Sequence, residues 1–145
     1  DIHAMVIGGH GDTTMIPLTR LASYNGTPIS NLLPDEKQDE IVSSTMIGGA
    51  TLTKLLGTSA WYAPGASVCY LVDSILKNKK KIIPCSVYLD GQYGLNDICI
   101  GVPCIIGKNG VEEIINLDLN LSEKNKLQES AKAIAIMNKS LKNFI

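Results

Sequence analysis

Apolar and polar positions follow two different rhythms along the chain, and the changes between them mark its elements. Residues 2–8 form a short apolar run that ends in glycine, and residues 15–24 predict a second strand. Tyr24-Asn25-Gly26-Thr27 supplies the Asn-Gly pair that favours a type I′ hairpin turn, with a return strand reaching Pro28-Ile29-Ser30. His3 belongs to the first strand, has no partner motif nearby, and reads as structural or exposed.

From Pro34 the rhythm becomes helical. Ile41, Thr45, Ile47, Ala50, Leu52, Leu55 and Leu56 recur at helical spacing, with Asp35 as N-cap, Glu36 in the first turn and Gly57 as the stop. Inside this helix stand Gly48 and Gly49. Each costs about 1 kcal/mol relative to alanine. The pair therefore implies a close neighbour, a kink or a second chain. Thr58 to Ser67, with its small residues and Pro64, predicts the start of a second helix, continued on one face by Val68, Leu71, Val72, Ile75 and Leu76. Trp61 and Tyr62 read as core or interface packing ahead of stacking on a ligand.

From residue 82 the period is that of a strand again. Ile82–Leu89 predicts a strand and Asp90 to Gly94 a loop. Ile98–Ile106 and Val111–Leu117 predict a hairpin across Lys108-Asn109-Gly110. Pro103 in its first arm predicts an edge or bulged strand. Ser122 is placed as the cap of a last helix, with Leu127, Ala131, Ile134, Met137, Leu141 and Ile145 on one stripe. The fold class is α+β, antiparallel strands and hairpins packed with three long helices, rather than an alternating βαβ series. Residues 1–145 read as one domain.

Composition narrows the class of function. The chain is 45% hydrophobic and 19% charged, which describes a globular protein. A net charge of −1 gives no field to attract nucleic acid or an anionic membrane. The run Lys77 to Lys81 follows a helix and reads as its solvated end. The four cysteines, at 69, 85, 99 and 104, form no Cys-x-x-Cys, and His3 and His10 do not complete a zinc pattern, so no metal is expected. Their apolar neighbours predict buried, reduced thiols and a cytoplasmic setting. None of these residues reads as a signal peptide, and no 18-residue apolar span occurs among them. Asp1 opens directly into an apolar segment, as in the middle of a longer protein.

One stretch concentrates candidate chemistry. Between the apolar arms Met5-Val6-Ile7 and Met15-Ile16-Pro17-Leu18, three glycines (8, 9 and 11) flank His10. Glycine permits positive φ and close backbone approach, and histidine as a residue type titrates near neutrality. A lone histidine in a glycine turn is more often a hydrogen-bonded turn residue than a catalyst. Asp12 could orient the imidazole, but more often such a residue bonds its own backbone. The chain has no Gly-x-Gly-x-x-Gly after a strand, no Walker lysine and no Gly-x-Ser-x-Gly elbow.

Gly8-Gly9-His10-Gly11-Asp12-Thr13 followed by Met15-Ile16-Pro17-Leu18 resembles the active-site histidine segment of the lactate/malate dehydrogenase family. The resemblance covers essentially the whole chain and matches the C-terminal, substrate-binding domain of that family. The helix with Gly48-Gly49, Tyr93-Gly94, Gly101-Val102-Pro103, Ile106-Gly107 and Asn109-Gly110-Val111 agree with it in order and spacing. Thr58 to Gly65 is closer to the malate branch.

The resemblance implies hydride exchange between a 2-hydroxy acid and NAD, with malate and oxaloacetate as substrate pair and His10 as general acid–base. It implies that Ser59 and Ala60 lie beside the substrate, that Met15 contributes to cofactor binding, and that Met15 and Pro17 wall the histidine. The N-terminal dinucleotide-binding domain, the aspartate that partners the histidine and the substrate-clamping arginines have no counterpart in these residues; Arg20 does not match the clamp. Its own N-terminal domain and sister subunits, as a dimer or tetramer, are the implied partners. This chain alone is expected to be inactive. The alternatives are an L-lactate or other 2-hydroxy-acid dehydrogenase, and a non-catalytic oligomerisation module.

Overall fold

The structure, a computed structural model, describes residues 1–141. It divides the first predicted strand. Ile2–His3 (β1) and Val6–Gly8 (β2) join different sheets. The predicted strand over 15–24 divides as well, into Met15–Pro17 (β3), a 3-10 turn at Thr19–Leu21, and Ser23–Tyr24 (β4). Pro17 has no N–H to donate, and the last bond of this hairpin is made one residue on, where Leu18 N–H donates to Met5 O at 2.9 Å. Leu18, 2% exposed, turns into the core after it. β4 pairs with β1 and, across the Asn25-Gly26 turn, with Thr27–Pro28 (β5). Asn25 and Gly26 have φ of 48° and 82°, as a type I′ turn requires. The return strand ends at Pro28, and Ile29–Asn31 is a 3-10 turn.

Helix α1 spans Asp35–Leu56 and ends at Gly57, whose φ of 70° lets its N–H reach the Thr53 carbonyl. Its cap position belongs to Pro34 rather than Asp35, which is the first helical residue and adds only its charge to the first turn. Helix α2 spans Tyr62–Leu76, with Pro64 in the first turn, where no N–H donor is needed.

Lys81–Asp90 (β6), Asn96–Gly107 (β7) and Gly110–Ile114 (β8) complete the main sheet, ordered β3-β2-β7-β6 with β8 also on β7. β7 is therefore central, which corrects the edge position expected from Pro103, while the bulged alternative has a counterpart in the register shift between Ile105 and Ile106 against β8. The reason lies in the register. Pro103 faces Pro84, and a pair without N–H groups suits only a non-hydrogen-bonded rung, so neither absent donor breaks the β6–β7 ladder. On its other side β7 changes partner, from β2 at Gly101 to β8 from Cys104 onward, and Pro103 sits at that change.

Helix α3, Leu121–Leu141, packs against β2, β3 and β7. Its cap is Asn120, not Ser122: Glu123 N–H donates to Asn120 Oδ1 and Asn120 N–H to the Glu123 carboxylate, both at 2.9 Å. Leu127 and Ala131 are buried and Ile134 is half-buried against the core, whereas Met137 and Leu141 are exposed. Ile145 lies outside the described residues. Ile7, Ile16, Leu18, Leu89, Ile100, Val102, Ile106 and Leu127 make the centre of the core.

The outer helices depart most from their predicted faces. In α1 only Gln38 is buried, and Ile47, Leu52, Leu55 and Leu56 are exposed. In α2, Leu71 and Ile75 reach the core while Val68, Val72 and Leu76 point outward. A Cβ on Gly48 or Gly49 would meet nothing within 4 Å, which removes a close neighbour within the described residues as their explanation. Trp61 and Tyr62 are 60% and 84% exposed, so core packing does not account for them. Among the cysteines only Cys104 is fully buried; Cys85 is half-buried, and Cys69 and Cys99 are exposed. Strand alternation places Cys99, opposite Tyr88, on the face away from Ile98 and Ile100. No helix among the described residues is long and apolar enough to cross a membrane.

Candidate active site

β2 and β3 present His10 on the six-residue loop 9–14 that joins them. The loop closes on itself. Gly9 N–H donates to Thr14 O at 3.0 Å, and Thr14 N–H and Met15 N–H donate to Gly11 O at 2.9 and 3.1 Å. Gly11 N–H also reaches Thr14 Oγ1 at 2.9 Å, and that hydroxyl donates back to Gly11 O at 3.1 Å. Thr14, not Asp12, therefore does the backbone bonding that the sequence assigns to Asp12.

The glycines are required by space. A Cβ on Gly8, where φ is 90°, would lie 2.4 Å from Thr14 O. One on Gly9 would lie 2.5 Å from Thr14 Oγ1. Gly101 on β7 pairs with Gly8, and a Cβ there would stand 2.7 Å from Gly8 O. Three backbones thus pack without side chains beneath the histidine, which stays exposed at the loop.

His10 lines a cleft of about 320 Å³ with Gly8, Gly9, Met15, Ser86, Cys99 and Gly101. Ile100 and Ile134 add to its apolar wall. The structure thus brings His10 and Met15 together. Ser59 and Ala60 lie on the α1–α2 connection and are not among the lining residues; Pro17 lies on β3, away from this cleft. No side chain among the described residues hydrogen-bonds the His10 imidazole. An exposed imidazole beside a mostly apolar cleft can exchange a proton with a small bound molecule. Burial pushes the Cys85 thiol up, and burial together with Cys85 pushes Cys104 up to about 11, which makes these two poor nucleophiles.

Helix α3 fixes this loop from behind. Ser130 Oγ, in a residue only 3% exposed, accepts Gly9 N–H at 2.9 Å and donates to Thr14 O at 2.9 Å. At the start of the same helix, Arg20 binds the Glu123 carboxylate through Nε and Nη2 at 3.1 and 3.0 Å, and Asp118 O at 2.9 Å. Hydrogen bonding to Arg20, against the opposing effect of burial, holds the Glu123 carboxyl below its ordinary range. Arg20 is thereby committed to structure. Sequence reasoning missed Thr14, Gly101, Glu123 and Ser130. A glycine inside a strand and a serine on an otherwise apolar stripe are the signals that could have pointed to Gly101 and Ser130.

The chain resembles named proteins along its whole length. It is 67% identical over 145 residues to a protein of Flavobacterium johnsoniae named malate dehydrogenase, covering 100% of this chain and 47% of that protein. The solved malate dehydrogenase of Salinibacter ruber superposes with a TM-score of 0.95 at 45% identity, over 99% of this chain and 47% of the other. A lactate dehydrogenase of Eimeria maxima, solved with NADH and oxamate, gives 0.92 at 43% identity over 99% of this chain and 46% of the other. The chain spans about half the length of the relatives it matches. The model of the lactate/malate dehydrogenase alpha/beta C-terminal domain matches residues 1–144, and the chain belongs to that family.

Proposed function

We propose that this chain is the substrate-binding domain of an NAD-dependent malate dehydrogenase and that His10 is its acid–base residue. The observation that carries the reading is an exposed imidazole at the mouth of a cleft, on a loop whose glycines leave no room for side chains beneath it. The names of the relatives supply the substrate. In malate oxidation the His10 imidazole accepts the C2 hydroxyl proton as the carbonyl forms; in the reverse direction it returns that proton to the oxygen. The acceptor for the C2 hydride would be supplied by NAD when bound.

The residues present fit the reactive end of NAD and little more of it. Met15, Ile100 and Ile134 offer an apolar wall suited to a flat ring, and Met15 would contact it. A glycine-rich phosphate-binding turn of the Gly-x-Gly-x-x-Gly type does not occur in the sequence. In this reading an N-terminal dinucleotide-binding domain holds the rest of the cofactor and brings the aspartate that steadies the imidazolium and the arginines that grip the substrate carboxylate. Ser59 and Ala60 face the substrate once that domain is in place. The outward faces of α1 and α2, with Leu55, Leu56, Trp61 and Tyr62, meet that domain and sister subunits of a cytoplasmic dimer or tetramer.

The test is His10→Asn in the full-length protein. Turnover of malate should fall by about two to four orders of magnitude, with NAD affinity nearly unchanged; undiminished turnover removes the assigned role. The lactate dehydrogenase among the structural relatives makes lactate the second substrate to assay. A higher kcat/KM for lactate than for malate would replace the malate reading.

A further inference from the structure

Among the described helical serines and threonines whose hydroxyls make a hydrogen bond, all but one bond their own helix. Ser43, Thr45 and Ser74 bond the carbonyl four residues back, and Ser140 bonds Met137 O. Ser130 instead reaches out of α3 to the His10 loop, 121 residues earlier in the chain. Its hydroxyl touches both ends of that loop, accepting from Gly9 at the entry and donating to Thr14 at the exit, each at 2.9 Å. The other hydrogen bonds that shape loop 9–14 are made within it or to Met15.

We propose that Ser130 is a positioning residue for His10, holding the loop at the height over the cleft that proton transfer needs. The proposal rests on the reading of His10 as the acid–base residue. Three observations converge on it. Ser130 is 3% exposed, so water has little access to replace the loop as its partner. The loop fits tightly against it: a Cβ on Gly8 would come within 3.1 Å of Ser130 Oγ, and one on Gly9 within 3.4 Å of Ile134 Cδ1 on the same helix. α3 is itself fixed at its first turn, where Glu123 binds Arg20, which follows β3. The hairpin that carries His10 and the helix that braces it are therefore joined at two points, about 10 Å apart along the helix at 1.5 Å per residue.

Proton transfer is sensitive to small displacements, and a loss of about 1 Å in placement can cost a hundredfold in rate. Removing the hydroxyl would leave Gly9 N–H bonded only to Thr14 O and free the loop from α3. The experiment compares wild type, Ser130→Ala and Ser130→Thr in the full-length protein. It follows malate oxidation, NAD affinity and amide hydrogen exchange.

Ser130→Ala is expected to lower kcat roughly tenfold or more while leaving the KM for NAD within about twofold. Exchange at Gly9 and Met15 should accelerate while β6 amides keep their protection. Ser130→Thr, which keeps the hydroxyl, should restore most of the kcat. An active wild type whose alanine variant keeps its kcat would overturn the positioning role. So would a threonine variant no better than alanine. A wild type that does not oxidise malate would overturn the functional reading itself, a result distinct from either.

Discussion

Gly101 and Gly48 show how differently one residue type behaves in two settings. At Gly101 an added methyl meets a carbonyl oxygen at 2.7 Å that belongs to a fixed strand, and neither partner can move without opening the β2–β7 contact. Gly101→Ala should destabilise the protein by about 1–3 kcal/mol, the usual cost of overpacking a fixed core, read as a lower urea midpoint. At Gly48 the same methyl meets nothing within 4 Å. In the isolated chain Gly48→Ala should stabilise by up to about 1 kcal/mol through helix propensity alone. A smaller or reversed effect in the full-length protein would reveal a surface that packs against that position. Both glycines are plain in the sequence, but only the structure separates the one that needs its missing Cβ from the one that tolerates its absence.

At the scale of elements, the caps and pairings explain where the sequence was readable. Asn25-Gly26 and Gly57 act through local backbone conformation, which their own neighbours specify, and both fall where expected. Asp35, Asp12 and Ser122 each lose one local job to winners nearby, namely Pro34, Thr14 and the Asn120–Glu123 pair, while Pro103 takes its place from Pro84, its partner on another strand. Glu123 is such a winner: it closes the α3 cap with Asn120 and binds Arg20, 103 residues away.

That double role makes Glu123 the element-scale test of stability against pH. Its folded pKa is lowered, so its contribution is present above the unfolded carboxylate value of about 4.3. It is lost as pH falls through the lower folded value. Glu123→Gln should therefore lower the thermal midpoint at pH 7, and the gap to wild type should narrow on acidification below about pH 4. A gap constant from pH 7 to pH 3 would show that the ion pair is not what is lost.

For the whole molecule, the exposed apolar faces of α1 and α2 account for the part of the fold that periodicity misplaced. Helical spacing of Ile47, Leu52, Leu55 and Leu56 identified a helix correctly, but it signals burial against something, and these residues find no cover among the described residues. The candidate site divides in the same way. His10 and Met15 were legible because the loop and strand that present them are local. Ser59 and Ala60 stay apart from the cleft because nothing among the described residues draws the α1–α2 connection over it. Mixed with malate and NAD, the isolated chain should produce no NADH absorbance, since His10 has no carboxylate partner among the described residues. Measurable turnover would mean that this domain alone assembles a working site.

The bond between Ser130 and the His10 loop also imposes an order in time. On the ribosome the loop emerges 121 residues before the serine that secures it. At roughly 5–20 residues per second, that is a wait of about 6–24 s. Through that interval the β2–β3 hairpin can form, but its loop lacks the outside anchor. If His10 acts as proposed, competence for proton transfer would then arrive only when α3 docks, so that a nascent chain ending before α3 carries the histidine without the geometry to use it.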